Sequence, residues 1–286
     1  MVEAANRQRD VIPTNTKVHS VESEDSFNQL SESEAMYAYH MTRAAWEGSK
    51  ICWFQRCYEG PALLVLLKLV FSKGIGALKE KSLAAGVSEE QTAQFLAYSA
   101  AVFNNCGNFR SFGDTKFVPE LSAELFEKIL RACDAYSSHG GVIEDCWARI
   151  KREVYSEQDP HQHIGFVDKN GVSSYYSANV TSEDAKFIDE FCQANKISPL
   201  NTRLFKSTDG KTFDLRIASV ESDNQRMPYL KSYSLEDGVT VNVTAGDFRE
   251  FMQLLTASVE QAKHYTANAN QRQMLQNYEE HFRFGE

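Results

Sequence analysis

Near Pro160 the spacing of apolar residues changes, and no other feature of this chain limits its fold as strongly. Up to about residue 156 they recur every three or four positions, which gives a helix one apolar face. Beyond Pro160 they alternate over short runs separated by Asn-Gly and Asp-Gly pairs, the pattern of half-buried strands joined by tight turns. A helical half followed by hairpins predicts an α+β fold, with the helical N-terminal half wrapped around a small, mostly antiparallel five-stranded β core.

Within the first half, Ser31 and Glu34 form a capping box, in which a hydroxyl and a carboxylate exchange bonds with free amides of a first helical turn. Met36, Tyr37, Tyr39, His40, Ala44, Trp46, Trp53 and Phe54 continue an apolar face to about residue 57, with a break expected near Gly48. Pro61 suits a helix first turn, and the Leu-rich run that follows predicts a buried helix through Phe71, closed by Gly74 and Gly76. Ser88 and Gln91 cap another helix, with Phe95, Leu96, Tyr98, Ala101, Val102 and Phe103 facing inward. Residues 122–138 and 141–156 read as two further helices, separated by His139-Gly140-Gly141.

In the second half, residues 164–177 place Lys169-Asn170-Gly171 between β-rich runs and predict a hairpin. Thr181 to Asp184 opens a helix running to about Lys196. Two more hairpins are expected, around Asp209-Gly210 within 202–220 and around Asp237-Gly238 within 229–245. The C-terminal stretch reads as one or two long helices. In domain terms, residues 1–25 form a poorly ordered N-terminus or an edge strand through Val11-Ile12-Pro13. Residues 26–286 form a single lobe, helical over 31–156, β-rich over 164–245 with a helix at 182–196, and helical again over 246–283.

A chain of 286 residues buries a sizeable core without staples. The excess of 39 acidic over 30 basic residues argues against nucleic acid as a partner, because phosphate binding rests on Lys and Arg. The longest apolar run, residues 61–67, ends at Lys68 and is too short for a membrane span. The N-terminus shows no apolar signal segment, so the expected location is the cytosol. Six cysteines without a C-x-x-C pair read there as buried thiols.

Signatures of known chemistry are scarce. The chain contains no H-E-x-x-H, P-loop, G-x-G-x-x-G or G-x-S-x-G. His161 and His163 could share one side of a strand, but no third ligand accompanies them, so they read as surface histidines and no metal site is assigned. His40 reads as a core or half-buried residue bonded to a backbone carbonyl, and Cys106 as structural despite the nearby Arg110.

Residues 105–119, NCGNFRSFGDTKFVP, look like a loop yet carry Phe109, Phe112 and Phe117. Phe109 and Phe117 suit anchors that pin the loop to the core. Ser111, Phe112 and Gly113 are the candidate binding residues, with Phe112 as an apolar wall and Gly113 allowing a ligand backbone to approach.

The string from Gly107 to Pro119 resembles the G-N-[YF]-[KR]-S-F-G-D-T-K-F segment of the dipeptidyl peptidase III family of cytosolic zinc exopeptidases. Residues 36–46, 173–186, 201–206, 215–220, 230–234 and 273–278 resemble it in the same order, so the likeness covers about residues 26 to 284. The resemblance implies the N-terminal, lower-lobe portion of a two-lobed peptidase, monomeric at full length, whose oligopeptide substrates bind partly as an added strand. It also implies that Ser111, Phe112 and Gly113 line the substrate cleft. The family's zinc motif, H-E-x-x-x-H followed by E-E-x-x-[AG]-[DE], is not found in these 286 residues. The expectation is that this chain binds no zinc and is inactive alone, as part of a longer enzyme, a truncated form or an incomplete gene product. A non-catalytic peptide-binding or regulatory role is the alternative.

Overall fold

The computed structural model describes residues 11–222 and 227–285, and it divides into two compact units. Residues 1–10, part of the N-terminal segment expected to be poorly ordered or an edge strand, lie outside the described residues. One unit is built from Trp53–Ser174 with the described residues up to Val18, the other from His19–Cys52 and the chain from Tyr175 onward.

The helices, in chain order, begin with a short α1, Glu24–Phe27, followed by α2, Glu32–Arg56. The Ser31–Glu34 box precedes α2, with the Ser31 N–H donating to the Glu34 carboxylate at 2.9 Å. No break occurs at Gly48; the helix runs through it, because a lone glycine weakens a helix by only about 1 kcal/mol against alanine.

Both α1 and α2 up to Cys52 belong to the second unit; the first holds the last turn of α2 and then α3 (Gly60–Val70), α4 (Gly74–Ala84), α5 (Glu89–Asn105), α6 (Ala123–Ala132) and α7 (Tyr136–Tyr155). The Leu-rich helix ends at Val70, within a residue of the expected Phe71, and Gly74, at φ +84°, stands at the break that follows. The chain then enters α4, where Leu78 is buried and core contact outweighs the low helix propensity of Gly76. The expected interruption at His139 survives as a kink inside α7, with His139 at φ −127°, while the true gap falls at residues 133–135. Packed between these helices, Leu63, Leu66, Leu67, Phe95, Phe126 and Ile129 are fully enclosed. The Phe126 and Trp147 rings stack at 4.5 Å and Phe95 meets Phe126 edge-on at 4.9 Å, so this core is held by aromatic as well as aliphatic contact. Among the described residues no single helix is long and apolar enough to cross a membrane.

The second unit contains α8 (Ser182–Asn195), β1 (Thr202–Lys206), β2 (Thr212–Ala218), β3 (Ser232–Ser234), β4 (Thr240–Asp247), α9 (Arg249–Ala262) and α10 (Ala269–Phe284). Both Asp-Gly turns form the predicted antiparallel pairs, β1 with β2 and β3 with β4. The sheet order is β1-β2-β4-β3, and β2 and β4 run parallel. This mixed pairing sets Val241 beside Phe213 and Val243 beside Leu215, making one continuous apolar face, and all four side chains are buried.

The described sheet therefore has four strands rather than five. Residues 164–177 form no strand pair: Val167–Lys169 is a 3-10 turn, and Ile164 and Val172 make one isolated parallel bridge. The segment folds back so tightly that a Cβ on Gly171 would lie 2.6 Å from Gly165 Cα. What remains of a fifth strand is a single bridge of Tyr176 with Leu204, along the outer edge of β1.

Helix α8 is tied to this sheet by charge. Lys206 on β1 donates to both oxygens of Asp184 at 2.8 Å, and Asp184 also closes the capping box of α8 with Thr181. Burial alone would raise the Asp184 pKa, but the bonds from Lys206 and Thr181 together outweigh it and leave the carboxyl below its usual range. Stability from such a group is present above the unfolded carboxylate value and is lost as pH falls through the folded one. Lys206→Met should therefore cost about 1.5–3 kcal/mol at neutral pH. In urea titrations at stepped pH the gap from wild type should close below about pH 4; a gap unchanged into acid would contradict the pairing.

Candidate functional site

Helix α5 ends where the aromatic loop begins. Cys106 takes a left-handed conformation at φ 52°, and the Gly107 N–H returns to the Val102 carbonyl at 3.0 Å, which closes the helix and turns the chain outward. The next residues form a narrow hairpin. Arg110 N–H donates to Thr115 O at 2.9 Å and Phe117 N–H to Asn108 O at 3.0 Å, leaving Ser111–Asp114 as the tip.

A second edge is covered by residues 162–164. Lys116 N–H donates to Gln162 O at 2.8 Å, Ile164 N–H donates to Asp114 O at 3.1 Å, and Thr115 bridges His163. On its other flank Val118 makes an isolated parallel bridge with Val11.

The three phenylalanines divide as their spacing suggested. Phe109 and Phe117 are 0% exposed, whereas Phe112 is 95% exposed. Ser111 is held by its N–H on the Asn105 side-chain oxygen at 2.8 Å. Gly113 sits at φ +95° and accepts from the Thr115 hydroxyl at 3.0 Å. That backbone angle, more than any lack of space, favours glycine there, since the nearest atom to an added Cβ would be 3.9 Å away. Phe112 stands out from its own unit as a rigidly based, solvent-facing ring. A concavity of about 490 Å³ in the same unit lies elsewhere, lined by Lys79, Leu83, Glu89 and Leu96.

Sequence reading missed what holds the hairpin base. Glu59 and Lys116 are each 3% exposed, and the ammonium lies 2.9 Å from Glu59 Oε1. Lys116 Nζ also donates to the Glu153 carbonyl on α7 and sits 5.2 Å from the Phe109 ring centroid. Asn108 is fully buried; its side-chain oxygen accepts from Cys57 Sγ at 3.2 Å. Burial, with a further push from the Glu59 carboxylate, raises the Cys57 thiol to about 12, so it stays a neutral donor. Arg56 donates to the carbonyls of Phe109 and Arg110, at 3.3 and 2.7 Å. A Lys inside an aromatic motif was the one available signal, but nothing local pairs it with a Glu 57 residues earlier.

The other candidates have structural surroundings. His40 lies between rings, edge-on to Tyr39 at 5.1 Å and stacked on Tyr265 at 5.6 Å. Cys106 serves as the cap of α5. Among the described residues no three His, Cys, Asp or Glu side chains come together as a metal centre requires, so His161 and His163 gain no third donor. The donors present in these residues do not fit the zinc that the resemblance implies for the whole family.

Comparison with known proteins gives the arrangement a lineage. The profile of peptidase family M49 matches residues 146–286. Dipeptidyl peptidase 3 of Homo sapiens is 36% identical over 284 residues, covering 96% of this chain and 38% of that protein. The Nematostella vectensis protein of the same name is 34% identical over 96% of this chain and 40% of its own length. That of Dictyostelium discoideum is 32% identical over 97% and 38%. The chain thus spans about two-fifths of the length of these curated relatives. Residues 146–286 thus match peptidase family M49, and over nearly all of its length the chain is similar to dipeptidyl peptidase 3.

Proposed function

We propose that this chain supplies peptide-binding surface to a dipeptidyl peptidase III that removes dipeptides from the N-termini of oligopeptides, and that Ser111, Phe112 and Gly113 make the contact. The observation that carries this reading is the exposed Phe112 ring on a hairpin whose other two phenylalanines are enclosed. An aromatic ring presented by a hairpin with buried anchors is suited to act as a contact residue, and an extended peptide is the ligand in keeping with the named relatives. Around it, Gly113 leaves room for a peptide backbone and the Ser111 hydroxyl offers one hydrogen-bonding group.

The zinc-assisted step of that reaction is assigned to residues other than these. The 286 residues contain no H-E-x-x-x-H, and the described side chains assemble no three-ligand set. Under this reading the chain binds and orients substrate, no hydrolytic step is derived from it, and its place is the cytosol, with its six cysteines as thiols.

Two measurements bear on this. Phe112→Ala should shift stability by no more than about 0.5 kcal/mol, since the ring is exposed. The same change should weaken binding of a short peptide with a free amino terminus roughly 5- to 30-fold, the loss typical of an aromatic anchor; equal affinity for both forms would remove Phe112 from the contact. Separately, the 286-residue chain with zinc and a dipeptidyl arylamide should release arylamine only at the background rate. Turnover above background would place the hydrolytic residues within this chain and overturn the assignment.

A further inference from the structure

Five hydrogen bonds of the hairpin base converge on one short segment, residues 56–59, at the C-terminal end of α2 and just beyond it. Arg56 grips the carbonyls of Phe109 and Arg110, Cys57 bonds the Asn108 side chain, and Glu59 accepts from Lys116 at 2.9 Å and from Asn108 at 3.5 Å. Asn108 lies on the first arm of the hairpin and Lys116 on the second, so Glu59 holds both arms at once.

We infer that the buried Glu59–Lys116 pair, braced by Arg56 and Asn108, positions the Phe112 tip for peptide contact, Glu59 and Lys116 acting as positioning residues. The inference rests on the peptide-binding reading of Phe112 given above.

Stability alone does not explain a buried pair at this place. Apolar residues of similar volume commonly serve a core as well or better, because both charges must first be stripped of water. A pair adds to the register set by apolar packing a penalty for any other alignment, because a displaced partner leaves a buried charge unpaired. If the second arm slipped by one residue, Thr115 or Phe117 would stand where the ammonium now sits, and Glu59 would be left as an uncompensated buried charge. The last residue of the tip, Asp114, lies two positions from Lys116. The register of this clamp therefore fixes which four residues form the tip, and so where Phe112 is presented.

The test separates positioning from support. In the 286-residue chain, Glu59→Leu and Lys116→Met are each expected to lower the melting temperature, and the double variant to return it to within a few degrees of wild type. In that double variant, hydrogen exchange at the amides of Arg110, Lys116 and Phe117 should still be at least tenfold faster than in wild type. Affinity for a pentapeptide of alternating alanine and phenylalanine with a free amino terminus should remain at least tenfold weaker, and adding Phe112→Ala should weaken it no further.

A double variant with native melting, native exchange and native affinity would overturn the inference, since the pair would then be mere support. Should the double variant fail to fold, Arg56→Gln decides. It leaves the ion pair intact and removes only the grip on the Phe109 and Arg110 carbonyls, so accelerated exchange at Arg110 with an unchanged melting temperature supports the clamp, and unchanged exchange overturns it. If the wild-type chain binds no peptide, the functional reading falls, while the exchange measurement still judges whether the pair sets the hairpin.

Discussion

A carboxylate and an ammonium enclosed together impose a strict condition on the unit that contains them. Each ion loses several kcal/mol of hydration on burial, recovered only when the partner and further hydrogen bonds are in place. Glu59 and Lys116 meet that condition through Asn108 and the Glu153 carbonyl. The segment after α2, the aromatic hairpin and the end of α7 must therefore come together jointly. The helices α3 to α7 then close around them, with Phe117 meeting the Tyr98 ring at 5.7 Å so that the hairpin becomes part of the aromatic core.

The second unit follows a different logic. Its sheet is held by apolar contact on one face, where Leu204, Phe213, Leu215, Val241 and Val243 are buried, and by charge and ring contacts on the other. Arg203 bonds Asp247 at 2.6 and 2.7 Å and lies 4.2 Å from the Phe248 ring centroid, while Arg216 lies 4.2 Å from that of Phe205. A bidentate guanidinium pair of this kind is directional as well as attractive, which suits it to holding the β1–β2–β4 alignment where one face has few apolar side chains. Helix α8 closes the apolar face, with Phe187 and Phe191 against Phe213 and Tyr233.

Local chemistry was the legible part. The Ser88–Gln91 and Thr181–Asp184 boxes open α5 and α8 where predicted, and both Asp-Gly pairs turn antiparallel strands. Misreadings arose where a distant contact overruled a local preference. Gly76 lies inside a helix because Leu78 reaches the core. The Lys169-Asn170-Gly171 turn joins no strands because the flanking backbone folds onto itself at Gly165. For the candidate site, the loop and its anchors could be read from three phenylalanines among polar residues. Glu59 could not, since its partner is 57 positions away and sequence spacing reports only neighbours along the chain.

By itself the sequence determined the helical and β-rich halves, the caps and turns, the split between anchoring and free phenylalanines, and the want of an H-E-x-x-x-H among these residues. Each follows from periodicity or from the conformational preferences of single residues, which act over a few positions. Only the tertiary structure decided that β2 and β4 run parallel and that Lys116 is enclosed against Glu59. Those outcomes depend on which distant segments exclude water together, and that is a property of the assembled chain.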